Sequence, residues 1–228
     1  MLEYCAVYPY IPVGKTNQLI VEQNYLSHVR WNPDSIIVPI SICRRAWLPG
    51  TIFVDELLPS SIHGRKIDFI PLFDHLFFAY LRSDYRVEAN KYILLDWDTY
   101  SDGVSLRQFL DPVWDSDLGG ASLHHCTQER FFWCGDWASC IPDIYYFRSF
   151  AVSVFSGDCA RTLAEFDADK LCSGFSLSHG SVRNPTCAKR LGFNVKGCSE
   201  LDAFLSNCTN YNNSGTPSVF HSVRYIVE

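Results

Sequence analysis

An apolar run that ends abruptly in two carboxylates constrains this chain more than any other feature. Lys91-Tyr92-Ile93-Leu94-Leu95 passes directly into Asp96-Trp97-Asp98. A short continuous apolar run of this kind reads as a buried strand. In an extended strand residues i and i+2 point to the same side, so Asp96 and Asp98 are expected to share a face while Trp97 turns away. Ligands of open α/β sheets bind outside the carboxyl ends of the strands. Two anions held close repel each other, and a divalent cation that also grips phosphate oxygens relieves the repulsion. The alternative, two solvated aspartates on a surface loop, fits poorly with so apolar a lead-in.

The rest of the sequence supplies layers to cover such a strand. Residues 3–8 read as a strand, and 16–29 as a helix with Leu19, Ile20, Gln23 and Leu26 at helical spacing. Asn32-Pro33-Asp34 marks a turn before a β-branched strand over 35–42, and 44–65 reads as loop. Phe69, Leu72, Phe73, Leu76, Phe77 and Tyr80 repeat with helical period across 68–86, predicting a helix packed on a sheet. In the second half, 150–155 reads as a strand and 157–166 and 184–191 as helices, the latter stopped by Gly192; 219–227 reads as a closing strand. No repeat, low-complexity tract or linker divides the 228 residues. The expectation is an α/β fold: a single Rossmann-like domain over 1–228, with a central mixed β-sheet flanked by helices. Strands 3–8, 35–42 and 91–95 should be neighbours. Residues 1–100 form the nucleotide-binding half, and 101–228 hold something else.

Composition excludes several function classes. With 47% hydrophobic and 15% aromatic residues the chain is globular rather than disordered. A formal charge of −6 and no basic stripe argue against nucleic acid as a partner. The best apolar stretch, near 69–81, is interrupted by Asp74 and His75, so no transmembrane segment is expected. Met1-Leu2-Glu3-Tyr4 does not resemble a secretory leader. The ten cysteines therefore read as reduced thiols in a cytoplasmic protein, and the sequons at Asn207 and Asn212 would matter only in a secretory lumen. His124-His125-Cys126, Cys134 and Cys140 lack the close Cys pair with which structural zinc sites usually begin.

The stretch from Lys91 to Tyr100 resembles the DXD region of small GT-A-type glycosyltransferases, particularly those of chloroviruses and some bacteria. Val7-Tyr8-Pro9-Tyr10 is similar to that family's first strand and nucleotide loop, and Asn32-Pro33-Asp34-Ser35-Ile36-Ile37-Val38-Pro39 to its second strand. Val113-Trp114-Asp115-Ser116-Asp117-Leu118-Gly119 resembles the segment after the DXD. Asn184-Pro185-Thr186 and Leu191-Gly192-Phe193 bracket a match to the acceptor-side helix, and Val219-Phe220-His221-Ser222-Val223-Arg224 resembles the closing segment whose His completes the metal site. Two positions depart from the pattern. Ser222 stands where Pro is usual, and Ser178-His179-Gly180-Ser181 replaces an acidic residue before the acceptor-side helix.

The resemblance implies a metal-dependent glycosyltransferase, a hexosyl- or pentosyltransferase of glycan biosynthesis. It would move a sugar from a nucleoside diphosphate sugar, UDP-sugar by resemblance, to a glycan or glycoprotein acceptor. Asp98 and His221 would bind Mn²⁺ or Mg²⁺, with Asp96 on the metal, the ribose or both; the nucleotide would meet Tyr8, Tyr10 and Ser41. Trp133, Trp137, Tyr145 and Tyr146 offer flat faces to an acceptor sugar, or simply core. An inverting enzyme needs a carboxylate base, for which Asp136, set among aromatics, is the first choice and Asp117 the second; a retaining enzyme needs none. Two other classes use similar residues. A haloacid-dehalogenase-like phosphohydrolase also ends an apolar strand in Asp-X-Asp, but wants Thr or Val where Tyr100 stands. A non-catalytic nucleotide-sugar or carbohydrate-binding module would use the acids only to hold a cation.

Overall fold

The computed structural model describes residues 1–12, 17–42, 46–54, 69–126, 144–149, 151–166, 180–205, 210–212, 218–220 and 225–227. Strands β1 (Leu2–Pro9), β2 (Ile36–Ser41), β3 (Ile52–Phe53) and β4 (Ala89–Leu95) run parallel, with β1 between β2 and β4. Val7 thus lies between Val38 and Leu94. Beyond β4 the antiparallel strand β9 (Val152–Ser156) joins it to β6 (Leu118–Ala121), which pairs in parallel with β10 (Val195–Cys198). The seven-stranded sheet therefore runs β10-β6-β9-β4-β1-β2-β3 and draws strands from both halves of the chain. It is mixed, and the three strands expected as neighbours are adjacent.

The alternation along β1 explains the layering. Cys5 and Val7 enter one apolar cluster, while Tyr4, Ala6 and Tyr8 enter another, so both faces of the sheet are covered. Helix α1 (Asn17–Trp31) contributes Val21 to the Tyr8 side, and α2 (Phe69–Arg82) contributes Leu76, Phe77 and Tyr80 to the Cys5 side. Short helix α3 (Leu106–Phe109) packs on the Tyr8 side, closed at its start by a reciprocal Ser105–Gln108 capping box. Helix α4 (Gly157–Glu165) packs on the Cys5 side, and Ser156 caps it by accepting from Cys159 N. Helix α5 (Gly180–Arg190) joins α2 and α4 there and stops at Gly192, whose φ of 85° suits a residue without Cβ. Helix α6 (Asp202–Leu205) brings Leu205 to the Tyr8 side. Among the described residues no helix is long and apolar enough to cross a membrane.

Three small pairs complete the structure: β5 (Tyr100–Asp102) with β12 (Ser218–Phe220), β7 (Leu123–Cys126) with β8 (Ile144–Phe147), and β11 (Asn210–Asn212) with β13 (Tyr225–Val227). The expected closing strand over 219–227 is thus two short strands in different pairs, neither in the main sheet. Two helices also differ from expectation. Leu19 and Leu26, two of the residues at helical spacing in the helix expected over 16–29, are 63% and 60% exposed, while Asn24 and His28 are fully buried. Helix α5 starts at Gly180 rather than at 184 and carries Pro185 inside.

Candidate functional site

The order of the strands locates a crevice. The chain passes from β1 to β2 on one side and returns to β4 on the other, so the strand order reverses between β1 and β4. The carboxyl ends of strands at such a reversal diverge and leave room for a ligand. Asp96 and Asp98 stand at that end of β4.

Strand geometry ends at Leu95, which corrects the expectation that Asp96 and Asp98 share an extended face. Asp96 to Thr99 is a tight turn, closed by Thr99 N donating to Asp96 O at 3.2 Å and Thr99 Oγ1 to the same oxygen at 2.7 Å. The Asp96 carboxylate accepts from Trp97 N at 2.8 Å, a local cap on the turn. The charges of both carboxylates nevertheless act on one neighbour. The Tyr8 phenol is pushed well above its ordinary pKa, chiefly by burial and then by the charges of Asp98 and Asp96. Asp98 itself is 5% exposed.

What fixes this turn is the polar inner face of α1, which the sequence reading passed over. Tyr8 OH and Asn24 Nδ2 both donate to the Trp97 carbonyl, anchoring the peptide next to Asp98. Ser27 Oγ accepts from Ser101 N at 3.0 Å, and the His28 ring lies 2.8 Å from Ser101 Oγ and 3.0 Å from Thr99 O. The signal was present as Val21, Asn24, His28 and Asn32 at helical spacing; polar residues at those places were not read as an inward face.

His28 makes this support sensitive to acid. Burial holds its pKa down to about 3, against 6.5 in the open chain, with the Thr99 carbonyl opposing the shift. A depressed pKa means that the unfolded chain takes the proton first. The stability His28 contributes is complete above pH 6.5 and is lost as pH falls from there toward 3, at up to about 1.4 kcal/mol per pH unit. Between pH 7 and 4.5 the wild type should therefore lose about 2–3 kcal/mol more than His28→Gln, read by urea unfolding. Equal losses would mean that the imidazole is not held neutral.

The turn runs on into β5, and β5 pairs antiparallel with β12: Asp102 faces Ser218, and Tyr100 faces Phe220. The chain's closing region is thereby fastened two residues from Asp98. His221 lies outside the described residues, as do Asp136, Trp133, Trp137, Cys134 and Cys140.

On the other side of the crevice, Tyr8 and Tyr10 are both 0% exposed, which leaves neither ring open for stacking as expected from the resemblance. Tyr10 instead orders the loop that follows β2: its hydroxyl accepts from Trp47 N at 3.0 Å and lies 2.8 Å from Thr51 Oγ1. Trp47 stacks on it, with ring centroids 6.0 Å apart and an interplanar angle of 22°, and remains partly exposed. Ser41 is buried at the carboxyl end of β2, where its carbonyl accepts from Val54 N.

The second half is less accommodating to the expected base. Asp117 precedes β6, whose Leu118 pairs with Phe155, the partner of Tyr92. Its carbonyl accepts from Ser156 N, and Ser156 pairs with Lys91. Asp117 therefore sits at the level of Lys91, five residues of strand, about 16 Å, from Asp96. Its carboxylate accepts from Asn194 N at 2.9 Å and Ser156 Oγ at 3.1 Å, a structural tie at the far end of the sheet. In the hairpin β7–β8 the His124 and His125 rings stack on Tyr146 and Tyr145, at 5.1 and 4.4 Å between centroids. Four residues of β7 and β8 thus form two cross-strand aromatic pairs.

A buried charged cluster lies between α2 and α5. Arg183 Nη2 donates to Asp74 Oδ2 at 2.8 Å, Nη1 lies 3.1 Å from His75 Nε2, and Nε donates to Asn184 Oδ1 at 3.4 Å. Gly180 makes room for it, since a Cβ there would come within 1.8 Å of Asp74 Oδ2. Burial pushes the Asp74 carboxyl up to about 6 against the pull of Arg183 and Asn184, and the charge of Asp96 adds to the rise.

Carboxylate oxygens are the hard donors that Mg²⁺ and Mn²⁺ take, so Asp96 and Asp98 suit such an ion. Two ligands do not complete a site, and among the described residues no three His, Cys, Asp or Glu side chains gather into one.

No protein-family model matches the sequence, nor does any curated protein. Solved structures do. The galactosyltransferase LgtC in complex with donor and acceptor sugar analogs is 14% identical over 95% of this chain and 86% of its own, with a TM-score of 0.47. Mouse xyloside xylosyltransferase 1 in its apo form is 10% identical over 96% and 97%, with a TM-score of 0.48. The mannosyltransferase Ktr4p from S. cerevisiae in complex with GDP is 10% identical over 82% and 66%, with a TM-score of 0.46.

Proposed function

We propose that this protein is a metal-dependent glycosyltransferase of the GT-A type, moving a sugar from a nucleoside diphosphate sugar to a glycan or glycoprotein hydroxyl. One observation carries the reading: a turn bearing Asp96 and Asp98 follows the carboxyl end of β4, where the strand order reverses. A diphosphate is the ligand that suits this place, because a divalent ion between carboxylates and phosphates neutralises both. Asp98 and Asp96 would hold Mn²⁺ or Mg²⁺, and His221 is the third ligand we propose; the pairing of Phe220, its sequence neighbour, with Tyr100 supports that assignment. When bound, the ion supplies positive charge to the leaving diphosphate. Tyr8 holds the turn through the Trp97 carbonyl, Tyr10 and Ser41 support the loop after β2 from within, and the partly exposed Trp47 ring is the rim we propose for the nucleotide. Asp136 is the proposed base of an inverting reaction, and UDP the proposed carrier.

Metal dependence tests this directly. Without a cation the two carboxylates and a diphosphate repel at short range, weakly screened in a cleft. UDP and Mn²⁺ together should raise Tm in a thermal-shift assay, and a chelator should cancel the shift. Tight UDP binding indifferent to the chelator would give the carboxylates another task. Hydrolysis of simple phosphate esters without nucleotide-sugar binding would point to the phosphohydrolase instead.

A further inference from the structure

Helix α1 is turned inside out. Asn24, Ser27 and His28 are buried on its inner face, while Leu19, Leu26 and Val29 stand largely in solvent on the outer one. At about 100° per residue these three share a sector of about 80°, opposite Asn24 and His28. Single exposed leucines are ordinary on a protein surface, but three apolar side chains on one face of one helix form a stripe.

The charges that frame the stripe say what covers it. Glu22 precedes Leu26 by one turn and Arg30 follows it by one turn, so the two lie on either side of Leu26 on the same face. A two-fold axis through Leu26 therefore sets Leu26 on Leu26 of a second copy, Glu22 against its Arg30, and Arg30 against its Glu22. Gln23 meets Val29 in the same register. A parallel arrangement would bring Glu22 onto Glu22 and Arg30 onto Arg30, which is repulsive. The present partners of the two charges are exposed: Gln18 Nε2 donates to Glu22 Oε1 at 2.7 Å, and the Arg30 guanidinium lies 5.9 Å from the centre of the Trp31 ring. Neither contact holds its charge away from an ion pair.

We propose that the outer face of α1 is a self-association surface, on which a second copy of this chain docks antiparallel about Leu26. The helix is about 22 Å long and offers less than the roughly 800 Å² per partner of a standard interface, so the dimer should form with a Kd of about 10–100 µM. The inner face of the same helix supports the Trp97 carbonyl, so substitutions on the outer face leave the carboxylate turn alone.

Sedimentation equilibrium up to about 300 µM tests this on the wild type, Leu26→Glu, Glu22→Arg and the double swap Glu22→Arg/Arg30→Glu. The wild type should dimerise reversibly. Leu26→Glu, which faces two carboxylates across the axis, should be monomeric throughout. Glu22→Arg should weaken the dimer by about tenfold, and the double swap should recover most of that loss, because it exchanges the signs without changing the pattern. The charge variants decide the question if Leu26→Glu does not fold. A wild type that stays monomeric would leave the stripe to another partner and overturn the proposal. So would a dimer indifferent to Leu26→Glu, or a double swap no tighter than Glu22→Arg alone.

Discussion

Asp98→Ala is expected to abolish cleavage of the donor while leaving the fold intact. The carboxylate is the group through which the chain would hold the metal, and the metal carries the charge of the leaving diphosphate. Losing one well-placed electrostatic partner of a transition state costs on the order of 10²–10³ in rate; losing the ion as well takes the effect beyond that range. The backbone of the turn is held by other groups. Thr99 closes it onto Asp96 O, and Tyr8 and Asn24 hold the Trp97 carbonyl. Circular dichroism and Tm should therefore change little, while turnover with a UDP-sugar and Mn²⁺ affinity both collapse. Asp98→Asn separates charge from shape and should lose nearly as much activity. A variant that is folded and still active would end the glycosyltransferase reading.

The core of the sheet was legible because its strands are continuous apolar runs that tolerate no other placement. Tyr92 to Leu95 can only be buried, and β1 and β2 carry the same signature beside it. Helix α2 was legible for the matching reason, a wide apolar stripe. The site was legible as two carboxylates, but its geometry was not. Periodicity projects a strand forward through Asp96, whereas the turn depends on Thr99 folding back onto Asp96 O and on donors from α1 and β1. Helix α1 misled for a related reason: its buried face is chosen by hydrogen bonds to Thr99 and Ser101 rather than by hydrophobicity. Tyr8 and Tyr10 looked like a rim because alternation cannot tell a residue that borders a ligand from one that supports the loop beside it. The start of α5 was hidden by Pro185, which reads naturally as a first helical residue. In the structure Arg183 and Asn184, both buried, precede it inside the helix. The partnership of Arg183 with Asp74 spans 109 residues and leaves no local mark in the sequence.

That ion pair carries the largest expected effect on stability. The Arg183 and Asp74 side chains are 4% and 1% exposed, so solvent screens neither. Removing one member strands the other charge in a medium that cannot solvate it, which typically costs 3–5 kcal/mol, roughly a third to a half of a small domain's total. Arg183→Met should lose about that much at pH 8 by urea unfolding. The loss should shrink as pH falls. Arg183 lowers the Asp74 pKa, so without it the carboxyl rises further above 6 and exists protonated at pH 5. A raised folded-state pKa favours the folded state at low pH, so the variant should recover part of its deficit there. Asp74→Leu alone should be as damaging as Arg183→Met, since it leaves the guanidinium without its carboxylate. Combined with Arg183→Met it should restore most of the stability, because two apolar side chains strand no charge. A double-mutant cycle with less than about 1 kcal/mol of coupling would show that the pair is solvated and the cluster open.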